Sequence, residues 1–243
     1  MADGVELLEP ERIHLVEVPV QPLSAVHLEA MNQAWNQALL ANPSLFDGPV
    51  TVGAGLDRPA PHTLVVSWSR TTYRRFALRL VPGAPVQRSL FVSVIQPTDD
   101  GRVLVGRMST ATAAVGRWQY PGGSVEPPPD DVPLDETALR DHAARELAEE
   151  TGLDIPADRL VRCLVTHGEA GHIGVHYLAP PRPAPLVHQR YEALVAAERA
   201  RGRAPEFDRI ALIRSPADLT GLAGPHVAYL EPVLRRIARR VGS

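Results

Sequence analysis

Arg145-Glu146-Leu147-Ala148-Glu149-Glu150-Thr151-Gly152-Leu153 is the stretch whose reading decides the fold. On a helix, Glu146, Glu149 and Glu150 stand at i, i+3 and i+4 and project from one side. Three carboxylates gathered there repel one another unless a cation sits among them, and an all-oxygen donor set favours a hard ion such as Mg²⁺ or Mn²⁺. A solvated acidic face is the ordinary meaning of a charge run, so the neighbouring sequence has to decide. The helix has the marks of a structured element. Asp135 or Thr137 precedes it, Leu139, Ala143 and Leu147 recur along it, and Gly152 is placed to end it in the left-handed conformation.

Upstream lies Pro121-Gly122-Gly123, a loop entered by Trp118 and Tyr120, whose glycines let backbone amides or carbonyls approach a ligand. A glycine loop followed by this acidic helix resembles the Nudix box. Gly123 matches its opening glycine, and Arg145, Glu146, Leu147, Glu149, Glu150, Gly152 and Leu153 match its second half. The resemblance implies an α/β fold, an α/β/α sandwich with a mixed sheet, and a hydrolase that binds divalent Mg²⁺ or Mn²⁺. It implies metal-ligand roles for Glu146, Glu149 and Glu150, with the Gly122 carbonyl as a further candidate. Arg145 takes the structural task of pairing with a carboxylate.

One departure stands out. Gly123 and Arg145 are 22 positions apart, eight more than in the family pattern, and the extra length falls in the proline-rich EPPPDDVPLD, where a loop absorbs it at small entropic cost. The isolated Glu of the pattern then falls on Thr137. Its nearest acid is Glu136, which is expected to pair with Arg145 if the helix begins at or before it.

Beyond the box, the chain resembles the UDP-sugar-hydrolysing branch of the family, which has a stretched box and an N-terminal extension. The matching pieces are Asn42-Pro43-x-Leu45-Phe46, Thr-x-Tyr73-Arg74-x-Phe76 and Gly224-Pro225-His226. This implies cleavage of a UDP-hexose to UMP and a sugar 1-phosphate. Other nucleotides (damaged nucleoside triphosphates, ADP-ribose or NADH, CoA) and a non-catalytic ligand sensor remain open. Arg74, Arg107 and Arg117 are candidates for the diphosphate, and Tyr73 and Trp118 for contact with base or sugar. Glu206 or Asp208 can supply a late acid, with Glu206 favoured, and either Glu146 or Glu206 can serve as general base. His167, His172 and His176 read as a hairpin bordering the substrate rather than a second metal site.

The rest of the chain sets bounds. Of 243 residues, 44% are hydrophobic and 22% charged, a globular composition, and a net charge of -3 argues against nucleic acid as partner. All 25 basic residues are Arg, which removes lysine Schiff-base chemistry. Cys163, the only cysteine, reads as a buried strand thiol. An acidic N-terminus (Asp3, Glu6, Glu9, Glu11) and the lack of a long apolar run predict a cytoplasmic protein with no membrane partner. A homodimer is admitted but not specified.

Two units are expected: an α+β extension over 1–86 and a Nudix domain over 87–243. In the first, 13–20 reads as a strand, Ser24 caps a helix through Val26, Leu28, Met31, Trp35 and Leu39, and Asn42-Pro43 ends it. A Gly/Pro-rich stretch at 48–61 follows, then LVVSWS and RFALRLV read as two strands. In the second, 90–96 and 102–108 read as a hairpin about Thr98–Gly101. Strands near 160–167, 173–179 and 208–213, a polar helix near 189–201 and a last helix from about 225 complete the reading. Val227, Leu230, Val233, Leu234, Ile237 and Val241 form the last helix's apolar face, and its two Arg pairs, at 235/236 and 239/240, the solvated one.

Overall fold

The computed structural model describes residues 4–241. Asp3 lies outside them, as do the side chains of Arg239, Arg240 and Val241. The chain runs β1 (Glu6–Leu8), β2 (Arg12–Glu17), α1 (Ala25–Ala41), β3 (Pro49–Ala60), β4 (Thr63–Thr72), a 3₁₀ segment (Tyr73–Leu80), β5 (Leu90–Ile95), β6 (Val103–Met108) and β7 (Trp118–Gln119). It continues with α2 (Glu136–Thr151), β8 (Val161–His167), β9 (Ile173–Leu178), α3 (Ala184–Ala200), β10 (Phe207–Ile213) and α4 (Leu230–Val241).

The strands form three sheets, ordered β1-β8-β9-β5, β10-β6-β7 and β2-β4-β3. β5 pairs with β9 in parallel while β8 and β9 are antiparallel, so the central sheet is mixed. α2 packs on β5 through Leu139, Ala143 and Leu147, all fully buried. Each such leucine is worth roughly 1.5–3 kcal/mol in apolar burial. On a second core, Leu230, Val233, Leu234 and Ile237 of α4 pack with Ile95, Val105, Trp118 and Tyr120. The first 86 residues share in this scaffold: β1 pairs with β8, and Ile13, Leu64, Val66 and Trp68 belong to the same cluster as Leu90, Val92 and Leu147. Among the described residues no helix is long and apolar enough to cross a membrane.

Several sequence expectations need correction. RFALRLV is not a strand but part of the 3₁₀ segment, because Phe76, Ala77 and Leu78 are buried in succession and a half-buried strand would bury only alternate residues. The Gly/Pro-rich stretch is a strand after all. β3 lies at a sheet edge, where Pro59 is tolerated, and its register shifts fall at Gly53/Gly55 and Asp57/Ala60, where bulges absorb the irregular residues. The turn at Thr98–Gly101 forms, with the Thr98 amide donating to the Arg102 carbonyl at 2.7 Å, yet β5 and β6 then part into different sheets. Both strands are buried on both faces, and each pairs along its length elsewhere, β5 with β9 and β6 with β10.

Ser24 caps α1 as expected, accepting from the His27 amide at 3.2 Å. The helix buries only Met31 and Trp35, however, and leaves Val26 and Leu28 exposed. α3 opens at Ala184, earlier than expected, with Pro185 in its first turn. α4 opens at Leu230 rather than 225, because residues 225–227 run beside β7: the Trp118 amide donates to the Pro225 carbonyl and the Val227 amide to the Trp118 carbonyl. Cys163 is buried in β8, its thiol 3.2 Å from the His176 carbonyl.

His176 is buried in β9, with Nδ1 2.6 Å from Ser93 Oγ and Nε2 2.8 Å from Thr166 Oγ1. Burial pushes its pKa down to about 3. The unfolded chain therefore binds a proton that the folded chain refuses between about pH 6.5 and 3, so stability is fully present above 6.5 and falls as pH drops through that window. At pH 4 the loss should reach roughly 3 kcal/mol. Melting curves of wild type and His176→Gln from pH 7 to 4 should show the flatter slope in the variant; parallel slopes would remove His176 as the cause.

Candidate active site

The glycine loop is fixed against β5. The Val92 amide donates to the Gly123 carbonyl at 3.0 Å and the Val94 amide to the Pro121 carbonyl at 2.7 Å. Gly122 holds φ +151°, and a Cβ there would lie 2.2 Å from the Val92 carbonyl oxygen. A Cβ on Gly123 would lie 2.7 Å from the Glu146 carboxylate. The loop is thus glycine because backbone must pass between β5 and the acids of α2.

α2 is built as its sequence suggests. Asp135 caps it, accepting from the Ala138 amide at 2.8 Å, and Gly152 ends it at φ +73°. From its loop-facing side, Glu150 is 1% exposed and accepts from the Gly122 amide at 2.6 Å. Burial first, then the charges of Glu146 and Glu206, raise its pKa well above the carboxylate range. Glu149 is raised by burial and then by Glu146, against Arg145. Glu206, from the loop before β10, is raised by burial, then by Glu146 and Glu149. Four carboxylates therefore act on one another in the lining of a cavity of about 730 Å³.

The four do not form a tight cluster. Among the described residues no three acidic, histidine or cysteine side chains are grouped as chelating ligands; Glu150 turns to the Gly122 amide while Glu146 lies beside His142. The donor set nonetheless fits Mg²⁺ or Mn²⁺: it is all oxygen, its charges repel, and Glu150 is cut off from water by burial. The Gly122 carbonyl accepts from Gln119 Nε2 at 3.3 Å and keeps a second lone pair.

Glu136 does not meet Arg145. It pairs with Arg162 at 3.0 Å and lies 3.9 Å from Arg140, because α2 begins at Glu136 and nine helical residues put roughly 14 Å between it and Arg145. Arg145 instead pairs with Glu126 at 3.2 Å and donates to His142 Nδ1 at 2.6 Å. His142 Nε2 lies 2.9 Å from Glu146 Oε1, close but not directed as a hydrogen bond. Glu126 opens the proline-rich stretch, three residues after Gly123, and counting from either end of the family pattern misses it, since forward from Gly123 reaches Pro129 and back from Arg145 reaches Thr137.

Of the sequence candidates, Glu146, Glu149, Glu150, Glu206, Gly122, Tyr73 and Arg117 line the cavity. Arg74, Arg107 and Trp118 do not. Arg74 is turned to Asp47 at 3.4 Å. Arg107 forms a two-pronged pair with Asp208, at 2.7 and 3.0 Å, across β6 and β10. Trp118 is 1% exposed, its Nε1 donating to the Ala223 carbonyl, and is core. The three histidines are separate: His172 Nδ1 accepts from the Ser89 amide, His176 is buried as described, and His167 lies 4.0 Å from Glu6. Sequence reasoning missed Arg79, which lines the cavity from the 3₁₀ segment. Its misreading as a strand residue hid the direction in which it points.

A glycine loop lying on β5, at the end of its sheet, and backed by an acidic helix is the candidate site of this α/β scaffold. The NUDIX domain family model matches residues 88–233, more than half of the chain, and the protein belongs to the Nudix family. Similar solved structures include the NUDIX domain of Shewanella oneidensis NrtR complexed with ADP ribose, 17% identical, TM-score 0.41, covering 70% of this chain and 99% of that one. Another is the MutT protein of Methanosarcina mazei Go1, 19% identical, TM-score 0.40, covering 64% and 96%. A third is a MutT NUDIX hydrolase of Burkholderia pseudomallei, 20% identical, TM-score 0.37, covering 64% and 98%. No curated protein matches the chain.

Proposed function

We propose that this Nudix protein hydrolyses the diphosphate of a nucleoside diphosphate-linked sugar, taking a UDP-hexose to UMP and a sugar 1-phosphate. The observation that carries this reading is the cavity itself. The acids line it together with residues of the first 86, among them Phe46, Pro49 and Tyr73. A space of about 730 Å³ lies within the range of sites for extended small molecules. Tyr73 is held edge-on to Trp35 and Phe76, at 6.4 and 5.4 Å between centroids, so its ring is a fixed wall against which a base or sugar can pack.

Glu146, Glu149, Glu150 and the Gly122 carbonyl would hold the divalent ion, which when bound polarises phosphate oxygens and acidifies water. Glu206 reaches the same space from another element, and its raised proton affinity suits a general base. It would take the proton of the attacking water. The water oxygen forms the new bond to phosphorus, and the bridging oxygen leaves with the other phosphoryl group. Arg145, paired with Glu126 and His142, would brace α2 rather than touch substrate.

Side-by-side kinetics on purified protein test the substrate. UDP-glucose or UDP-galactose should show a higher kcat/KM than ADP-ribose, NADH, CoA or 8-oxo-dGTP, and Tyr73→Ala should narrow that advantage. A ten-fold preference for any of the other four would sink the UDP-sugar assignment.

A further inference from the structure

Two guanidinium groups enter the same cavity as the acids and belong to no ion pair among the described residues. Arg79 comes from the 3₁₀ segment and Arg117 from the turn before β7. Arg74 and Arg107, by contrast, are neutralised by Asp47 and Asp208. Arg79 is held by neutral groups only: it donates to Ser89 Oγ at 2.8 Å and to the Gln87 carbonyl at 3.2 Å, with its guanidinium 4.4 Å from the Phe76 ring centroid. These contacts fix the plane of the fork and leave its charge uncompensated. The Arg117 side chain makes no hydrogen bond among the described residues.

The two charges feel each other. Burial first, and then Arg117 against the opposing influence of Tyr73, pulls the Arg79 pKa down, although Arg79 keeps contact with solvent at the cavity wall. His172, held by Ser89, adds a third group to the same cavity. The Ser89 amide donates to His172 Nδ1 at 2.9 Å, so a neutral His172 carries its proton on Nε2. Two guanidinium groups that face one cavity and are paired with none of its carboxylates are matched to an anion of several oxygens.

From this geometry we infer that Arg79 and Arg117 form a phosphoryl-binding subsite, so that the N-terminal segment supplies part of the grip on the diphosphate. The inference rests on the pyrophosphohydrolase reading for the presence of a diphosphate, and on nothing about base or sugar. Arg79 is then what ties the extension to the chemistry, since the acids all lie outside it.

Calorimetric binding of inorganic pyrophosphate to the full chain in excess EDTA tests this, because the acids then repel the probe and only cationic groups retain it. Wild type should bind. Arg79→Gln and Arg117→Gln should each weaken binding at least about ten-fold, and the double variant should lose less than the product of the two. Arg102→Gln, whose charge is already matched by Asp100, should bind as wild type. No binding by wild type, or unchanged affinity in both single variants, overturns the subsite. Should Arg79→Gln not fold, Arg79→Lys, which keeps the charge and loses the fork, replaces it with the same criterion. Pyrophosphate held by the pair in a protein that spares UDP-hexose removes the substrate assignment alone. UDP-hexose cleaved by a protein whose variants bind pyrophosphate normally removes the subsite alone.

Discussion

Glu150→Gln should fold, melt no lower than wild type and lose at least ~10²-fold in turnover with saturating Mg²⁺. The stability half follows from the environment of the carboxylate. Glu150 is 1% exposed, and its negative charge is disfavoured by burial and by Glu146 and Glu206, with only the Gly122 amide in its favour. Glutamine has the same shape, its carbonyl can accept that amide, and its NH₂ finds carboxylate acceptors among the neighbours. Removing the charge removes a cost. The sign is testable with pH: because the folded pKa is raised, the ionised wild type loses stability as pH climbs from the unfolded value near 4.5 through the folded one. The melting advantage of the variant should therefore widen over that window. The activity half follows from the proposed ligand role, where a neutral amide gives up one of the charges that hold the ion. Excess EDTA should abolish wild-type turnover as well. Near-normal turnover of Glu150→Gln would remove the site, and a melting point several degrees below wild type would make Glu150 a structural residue instead.

Local chemistry was legible in the sequence wherever one element decided it. The span of α2 and its Gly152 stop depend on neighbouring residues only and stand as read, and of the two caps offered, Asp135 and Thr137, the helix takes Asp135. The same holds for the turn at 98–101 and the Ser24 cap. Partner choice was less legible. Nothing local says that β5 leaves β6 for β9, since two strands buried on both faces carry no alternation to mark a shared sheet. Charged side chains were least legible of all. Arg74, Arg79, Arg107 and Arg117 are alike in sequence, and what separates them is whether the fold delivers an aspartate: Asp47 reaches Arg74, Asp208 reaches Arg107, and the other two face the cavity. Glu126 and Glu136 differ in the same way, one returned to Arg145 by the proline-rich loop and the other carried away along the helix.

Gly122→Ala should be the most destabilising single methyl group in the site. A Cβ at this position lies 2.2 Å from the Val92 carbonyl oxygen, 2.6 Å from Ser93 Cα and 2.9 Å from Ser93 Cβ. Two of these are backbone atoms of β5, the strand on which α2 packs and which pairs with β9. Neither side can yield easily, because the loop is tied to β5 by the bonds of Val92 to Gly123 and Val94 to Pro121. The φ of +151° adds strain of its own for any residue with a Cβ. Overpacking and backbone strain together should cost on the order of 4 kcal/mol, a large share of the stability of a single chain and roughly 10 °C or more in melting temperature. Gly221 is the control, with ordinary φ and nothing within 4 Å of its Cβ, so Gly221→Ala should melt with wild type. Gly122→Ala should also lose activity beyond its loss of folded protein, since the displaced amide is the one that holds Glu150. If it melts within about 2 °C of Gly221→Ala, the close passage of the loop across β5 is wrong, and with it the placement of Glu150 beneath the loop.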